Sequence, residues 1–470
     1  MRFWRGSPML VAAMITRRTL LAAAMARKSS RYAVAKVEAA EAEPPAGERI
    51  SFGWRGVALR DEVKLSFPAP GRRLRIANAL DSREPRVVDV LAADGAKLGA
   101  FDLRYAYAGQ LFELELPSPQ RQISLRQSVG QGTTWILSSG APEALLPHFL
   151  MEEGGPSPKQ EFEQRLRGVE SAQPFGWLQG CVLDALRDLR WRKELHAHLR
   201  LHLPDDERLV YEDPRSRPAD NEFHSIEETL PVAMMAFERP QHRAIDLAIA
   251  YWMKGRDAEG CVVGGGSTTC EGSYTVAYPM AAVARLRRDR ELEDLAIRQL
   301  RLRRDRLAST DAIVLRRLPD SRTTYRNWAR GVAWYMLGLA RTLELLRDRS
   351  DLDDLRAELR RAVAWVLPLQ RPDGLWNCYL DQPPTRAETS GTAGIATAVA
   401  KAANLGLAGG HEKDAARRAL GALEDRLTPD GFLSGVSQSN RAGEELQRSG
   451  YRVISQMGMG LMGQLMAALR

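Results

Sequence analysis

Asp373-Gly374-Leu375-Trp376 and Asp430-Gly431-Phe432-Leu433 repeat one short pattern: an acid, a glycine, then apolar residues. The pattern occurs upstream in looser form as Asp206-Glu207-Arg208-Leu209-Val210, Glu259-Gly260-Cys261-Val262-Val263 and Asp311-Ala312-Ile313-Val314-Leu315. From acid to acid the steps are 53, 52, 62 and 57 residues. A period of this size with two helices per unit describes an array of α-hairpins, either an open solenoid or a closed ring. Five such loops separate six hairpins, and six hairpins close naturally into an (α/α)6 toroid.

Working outward from these loops, apolar periodicity predicts helices over 160–170, 175–190, 193–203, 224–237, 240–255, 272–288, 290–304, 328–347, 351–370, 388–405, 411–426 and 451–469. The third is ambiguous, because Leu195, Ala197, Leu199, Leu201 and Leu203 also alternate as a strand would. Alternate helices carry small residues suited to close packing, such as Gly180, Gly338, Gly391, Gly394 and Gly458, and are expected to form an inner ring. Their partners have one polar face and belong outside. If all inner helices run the same way, their unsatisfied N–H groups and positive dipole ends meet at one end of the ring. That end favours an anionic ligand.

The predicted inner helix starts carry Trp177, Glu227, Glu228, Glu271, Tyr274, Trp328, Arg330, Trp334, Glu388 and Tyr451, with Trp376 in an adjoining loop. Tryptophan and tyrosine faces stack on sugar rings, an arginine binds a carboxylate in bidentate fashion, and paired glutamates supply acid/base catalysis. The candidate catalytic residues are therefore Glu271 and Glu227. Trp177, Tyr274, Trp328, Arg330, Trp334, Trp376 and Glu388 are candidate substrate contacts. Glu227 or Glu228 alone reads more readily as a helix cap, and only the convergence of these residues points to a site. His196, His198 and His202 sit on a predicted outer helix without a matching carboxylate, so neither a metal nor another cofactor is called for.

Ahead of the helices, residues 50–145 read as a β-sandwich. Lys64 to Phe67, Arg73 to Ile76, Leu111 to Leu116 and Gln122 to Arg126 alternate apolar and polar residues between turn clusters. Trp54, Tyr105, Tyr107 and Trp135 read either as its core or as a sugar platform. The helical domain is expected to span 155–470, and residues 1–49 an export leader and linker. Thr16-Arg17-Arg18-Thr19-Leu20-Leu21 and the small residues to Ala26 form a twin-arginine-like signal, so the expected location is periplasmic or secreted, and cytoplasmic if the leader is not a signal.

Composition sets the remaining bounds. The 67 basic and 59 acidic residues give +8, but residues 1–49 alone hold nine Lys/Arg against four Glu, so no general nucleic-acid surface is expected. The longest apolar run, Pro8 to Ile15, is too short to span a membrane. Four cysteines exclude a disulfide framework; Cys261 and Cys270 read as separate buried thiols or as a single pair.

Trp328-Ala329-Arg330-Gly331-Val332-Ala333-Trp334 resembles the W-x-R-G-x-x-W segment of unsaturated glucuronyl and rhamnogalacturonyl hydrolases, glycoside hydrolase families 88 and 105. Asp373-Gly374-Leu375-Trp376, Asp381-Gln382-Pro383 and Glu388-Thr389-Ser390-Gly391-Thr392-Ala393 resemble the stretch that follows it, and Tyr451 to Leu465 its glycine-rich last helix. The similarity is best over about 325–470 and fainter over 175–290. The resemblance implies hydration of a 4,5-unsaturated uronic residue: a carboxyl group protonates C4 and assists water attack at C5. It places two aspartates at the starts of the second and third inner helices, where this chain has Glu227 and Glu271. The family's histidine between the third and fourth inner helices has no counterpart, and its Asn-Gly is Val332-Ala333.

The expected protein is thus an exported enzyme acting on an acidic oligosaccharide, its oligomeric state open. Ordinary glycosidic cleavage, lyase chemistry and non-catalytic glycan binding are the alternatives.

Overall fold

The computed structural model describes residues 31–151 and 156–470. The twin-arginine-like segment lies outside them. The first unit is antiparallel: strands β1 (Tyr32–Val34), β2 (Lys36–Glu38), β4 (Val63–Ala77), β5 (Val87–Ala92), β6 (Lys97–Asp102), β7 (Leu111–Val129) and β9 (His148–Leu150) form one sheet, ordered β1-β9-β4-β7-β5-β6 with β2 also on β4. Strands β3 (Arg55–Ala58) and β8 (Trp135–Ser139) form a separate pair. The two long strands bend together. Pro68 and Pro70 in β4, and Pro117 and Pro119 in β7, donate no ladder bonds, and the register shifts between Ser66 and Gly71. Leu65, Phe67, Leu74 and Ile76 alternate into the core, and Trp135 is wholly buried there.

The expected boundaries at 50 and 145 are too narrow. Tyr32–Val34 pairs with His148–Leu150, and Lys36–Glu38 with Lys64–Ser66, so the β unit begins before the supposed linker ends and closes at residue 150. Three-residue strands are too short to display an alternation in sequence.

Helices follow in the expected alternation: α1 (Pro158–Arg167), α2 (Trp177–Asp188), α3 (Arg192–His202), α4 (Val232–Glu238), α5 (Ala244–Lys254), α6 (Tyr278–Arg287), α7 (Arg290–Leu307), α8 (Ala329–Leu345), α9 (Asp353–Val366), α10 (Thr389–Asn404), α11 (Gly410–Glu424) and α12 (Gln456–Leu469). The ambiguous segment is the helix α3. Its Leu195, His198, Leu199 and His202 face inward at helical spacing. Even-numbered helices pack on one another in sequence, and α12 packs on both α10 and α2, so the contacts run in a closed circuit with the odd-numbered helices outside. Gly338 and Gly460 let these inner helices touch. A Cβ on either would overlap the backbone of Ser273 or of Cys181 and Val182. The repeated loop also has a backbone reason: Gly374 and Gly431 both hold left-handed conformations, at φ 87° and 88°.

The last inner helix starts at Gln456 rather than near 451, because Arg452–Val453 is spent pairing with Val436–Ser437. All four cysteines are separate buried thiols, so Cys261 and Cys270 do not pair. Among the described residues no helix is long and apolar enough to cross a membrane.

The β unit sits on the helices through buried polar bonds. Asp430, from the last loop repeat, accepts from Tyr32 Oη (2.9 Å) and Arg75 Nη1. Burial opposes the Asp430 charge, yet the Arg75 guanidinium holds its pKa at about 2. Nearer the amino-terminal ends of the inner helices, Gln456 Nε2 donates to Gly109 O (2.9 Å) and Gln438 Nε2 to Gln110 Oε1 (3.0 Å). The β unit thereby covers part of that end.

Candidate active site

Four of the six inner helix starts open onto one cavity. Trp177 comes from the first, Glu227 from the turn before the second, Glu271 and Thr275 from the third, and Trp328, Arg330 and Trp334 from the fourth. Arg316 comes from a short strand, Val314–Arg317; Ser439 and the turn residues Asn440 and Arg441 come from the segment ahead of the last inner helix, and Tyr107 from the β unit.

Glu271 stands at the start of the third inner helix, followed by a wide π turn over Ser273–Ala277. Such turns are frequent at functional sites because they displace side chains from the regular helical rows. Asn440 Nδ2 donates to Glu271 Oε1 at 3.1 Å. Glu271 is only 8% exposed. Burial, then the nearby negative charge of Glu227, raises its pKa to about 7, with Arg316 pulling the other way. Half of such a group stays protonated at neutral pH, which suits proton donation. Glu228 behaves differently from its neighbour: its Oε2 accepts from the backbone N–H of His224 (2.6 Å) and Ser225 (3.2 Å) and from Tyr211 Oη (3.1 Å). It is a cap.

The walls are aromatic and cationic. Trp177 meets Trp334 edge-on at 5.6 Å and Tyr107 at 6.0 Å. The Arg330 guanidinium lies 4.7 Å over Trp328 and 5.7 Å over Trp177. Its Nη1 and Nη2 donate to the carbonyls of Ser437 (2.8 Å) and Gln438 (2.7 Å). Arg330 therefore fixes the 437–441 loop and lends positive charge, with much of its fork already engaged. Arg441 donates to Asp81 Oδ2 at 2.9 Å and lies 5.4 Å from the Tyr107 ring. Arg316 makes no ion pair among the described residues and faces the cavity directly.

Three predicted contacts do not reach this cavity. Tyr274 is fully buried beneath it, stacked on Trp334 at 5.7 Å and hydrogen-bonded to Asp184, because its ring points along the helix into the core. Trp376 is also fully buried, its Nε1 donating to Val366 O at 3.0 Å. Glu388 caps the fifth inner helix, accepting from Ser390 N (3.0 Å), Gly391 N (2.5 Å) and Ser437 N (2.9 Å). Tyr451 faces elsewhere, its hydroxyl on Asp102 O of the β unit. His198 and His202 are packing residues, the former bonded to Gln179 and the Gly168 carbonyl, the latter edge-on to Phe52. Sequence reasoning missed Arg316, Asn440 and Arg441. The polar run Gln438-Ser439-Asn440-Arg441 ahead of the last inner helix was the sequence signal for Asn440 and Arg441; Arg316 had none beyond following the Asp311 loop repeat.

Residues 270–469 match the model of Glycosyl Hydrolase Family 88. Protein Atu3128 of Agrobacterium fabrum is 41% identical over 111 residues, 22% of this chain and 48% of that protein. The unsaturated rhamnogalacturonyl hydrolase YesR of Bacillus subtilis is 28% identical over 138 residues, 28% of this chain and 38% of that protein. The matches thus span about half or less of these relatives' own length. A family 105 glycoside hydrolase from C. acetobutylicum shares the fold at TM-score 0.57 and 18% identity, over 66% of this chain and 98% of its own. The helical part of this chain accordingly carries a Glycosyl Hydrolase Family 88 domain over residues 270–469.

Proposed function

We propose that this protein is an exported glycoside hydrolase, built on an (α/α)6 toroid, that acts on oligosaccharides ending in a 4,5-unsaturated uronic residue. The observation that carries the reading is Glu271: a buried carboxyl holding its proton near neutral pH, beside Glu227, in a cavity walled by tryptophans and three arginines. The name of the similar YesR, an unsaturated rhamnogalacturonyl hydrolase, supports the same substrate class. The twin-arginine-like stretch supports export, a route that carries proteins already folded, and four buried thiols are compatible with folding in a reducing compartment first.

In this mechanism Arg316 seats the substrate carboxylate, aided by the positive charge of Arg330 and Arg441, and Trp177, Trp328 and Trp334 pack against the sugar. Glu271 transfers its proton to C4 of the C4=C5 double bond. Water, held by Glu227 and the newly ionised Glu271, adds through its oxygen to C5 and returns a proton to the acid pair. The resulting hemiketal opens and expels the second sugar. Glu271 is matched to this cycle because its pKa lies close to the working pH.

The test is turnover of unsaturated disaccharides from pectin, ulvan and glycosaminoglycans, followed through the enol-ether absorbance. Loss of that absorbance by the wild type, abolished in Glu271→Gln with the fold retained, is the expected result. Growth of the band would instead identify a lyase, and substantial turnover by Glu271→Gln would remove Glu271 from the mechanism.

A further inference from the structure

Asn440, whose amide bonds Glu271, sits in a segment held from two sides. The helical ring supplies one side. Arg330 donates to the carbonyls of Ser437 and Gln438, Gln447 Nε2 to those of Gln438 and Ser439 (both 3.0 Å), and Tyr325 Oη to Asn440 O. The β unit supplies the other, and its bonds bracket Asn440 in sequence. Before it, Gln438 Nε2 donates to Gln110 Oε1 and to Arg104 O, each at 3.0 Å. After it, Arg441 Nη1 donates to Asp81 Oδ2 at 2.9 Å. The Gln438 amide is also tied to the backbone beside Asn440, its Oε1 accepting from Ser439 N at 2.9 Å. Gln110 Oε1 is fixed in turn by Tyr107 N at 3.1 Å. Gln110 and Gln438 are both buried, so water does not readily replace their bond.

Glu271 is faced by Glu227 from the turn before the second inner helix, by Arg316 from the strand Val314–Arg317, and by Cys270 and Tyr325. Arg330, Arg441 and Tyr107 line the same cavity. Gln110 carries no charge, so its influence on Glu271 passes through position alone. Taking Glu271 as the acid of the reaction above, we infer that Gln110 is a positioning residue: through Gln438 it holds the segment from which Asn440 directs its amide to Glu271, so the β unit sets the catalytic acid from outside the ring.

The test is the alkaline limb of kcat/KM, which reports protonated Glu271. Gln110→Leu keeps a similar volume but cannot accept from Gln438. Asn440 donates to the carboxyl and favours its ionised form. Loss of that bond is expected to move the limb to higher pH by roughly 0.5–1 unit and to lower kcat about tenfold with KM within about twofold. Asn440→Ala is expected to give the same shift, and Gln110→Leu added to it no further one, because both act on one bond. An unmoved limb in either single variant overturns the inference and leaves Gln110 a packing residue. A second shift in the double variant overturns it too, by routing the effect through Tyr107. If Gln110→Leu does not fold, Gln438→Met breaks the same bond from the other side and takes its place. If no unsaturated uronide is turned over, the reading of Glu271 as the acid fails on its own. The Glu271 carboxyl is then titrated directly by carbon-13 NMR of glutamate-labelled protein, its signal assigned with Glu271→Gln. An upward shift in Gln110→Leu that disappears in the Asn440→Ala background sustains the positioning role, and an unchanged titration overturns it.

Discussion

Glu271 and Glu388 occupy equivalent places, each a buried glutamate at the start of an inner helix, yet they do opposite things. Glu388 precedes its helix and folds back over the first turn, where three backbone N–H groups and the Ser390 hydroxyl saturate its oxygens. Glu271 already lies within its first turn, ahead of the π turn, and receives Asn440 instead. The donors that make Glu388 a structural cap are thus withheld from Glu271. The second acid nearby then makes ionisation of Glu271 costlier still. A carboxylate at a helix start becomes reactive when the helix does not satisfy it.

The largest effect that tests this contrast is on catalysis. Glu271→Gln keeps the size and the Asn440 neighbour but removes the transferable proton, and turnover is expected to fall by about 10²–10⁴ in steady-state assays. Next is stability at the other pole. Glu388→Ala strands buried N–H groups of Ser390, Gly391 and Ser437, and should cost roughly 2–4 kcal/mol in denaturant unfolding. An unchanged denaturation midpoint would mean that these donors find other partners.

The third effect is the pH dependence of stability. Glu271's folded pKa, about 7, lies above its ordinary value of 4.5. Between these values the unfolded chain releases a proton that the folded chain retains. The associated stability is therefore full below about 4.5 and lost as pH rises through about 7, a change of roughly 3 kcal/mol that Glu271→Gln should abolish. The smallest effect sharpens the role of the second acid. Glu227→Gln removes a charge that raises Glu271's pKa, so the alkaline limb of the kcat/KM profile in any residual activity should move to lower pH by roughly 0.5–1 unit.

A further contrast separates the two ends of the inner helices. Below the cavity, Arg341 donates to Asp188 at 2.6 Å and lies 3.4 Å from Asp184, while Tyr274 and Tyr278 donate to Asp184. The polar groups there are mutually consumed, and Tyr274 belongs to that network rather than to substrate. At the other end Glu227, Glu271 and Arg316 face open space, so two regions of similar composition differ in which charges remain available.

The helical pattern was readable because it is local. Amphipathic spacing and the turn glycines at 374 and 431 act within a few residues, and every predicted helix is present, with shifts chiefly at the ends. Helix starts could likewise be placed, which brought Trp177, Glu227, Glu271, Trp328, Arg330 and Trp334 into view together. Direction along a helix start was harder to read. Tyr274 and Trp376 are of the same residue types as the cavity walls but turn into the core, and whether Glu388 caps or reacts depends on a backbone conformation that its identity does not encode.

The sequence by itself determined a hairpin array preceded by antiparallel strands, and a gathering of acids, tryptophans and an arginine at one set of helix ends. Only the tertiary structure decided that Asn440, Arg316 and Arg441 line the cavity beside Glu271 and that the β unit reaches its wall through Tyr107. The physical reason is range: helix and turn formation are fixed by neighbours in the chain. Burial and the field at Glu271 instead come from groups as distant in sequence as Asn440, and these converge only when the ring and the β unit pack together.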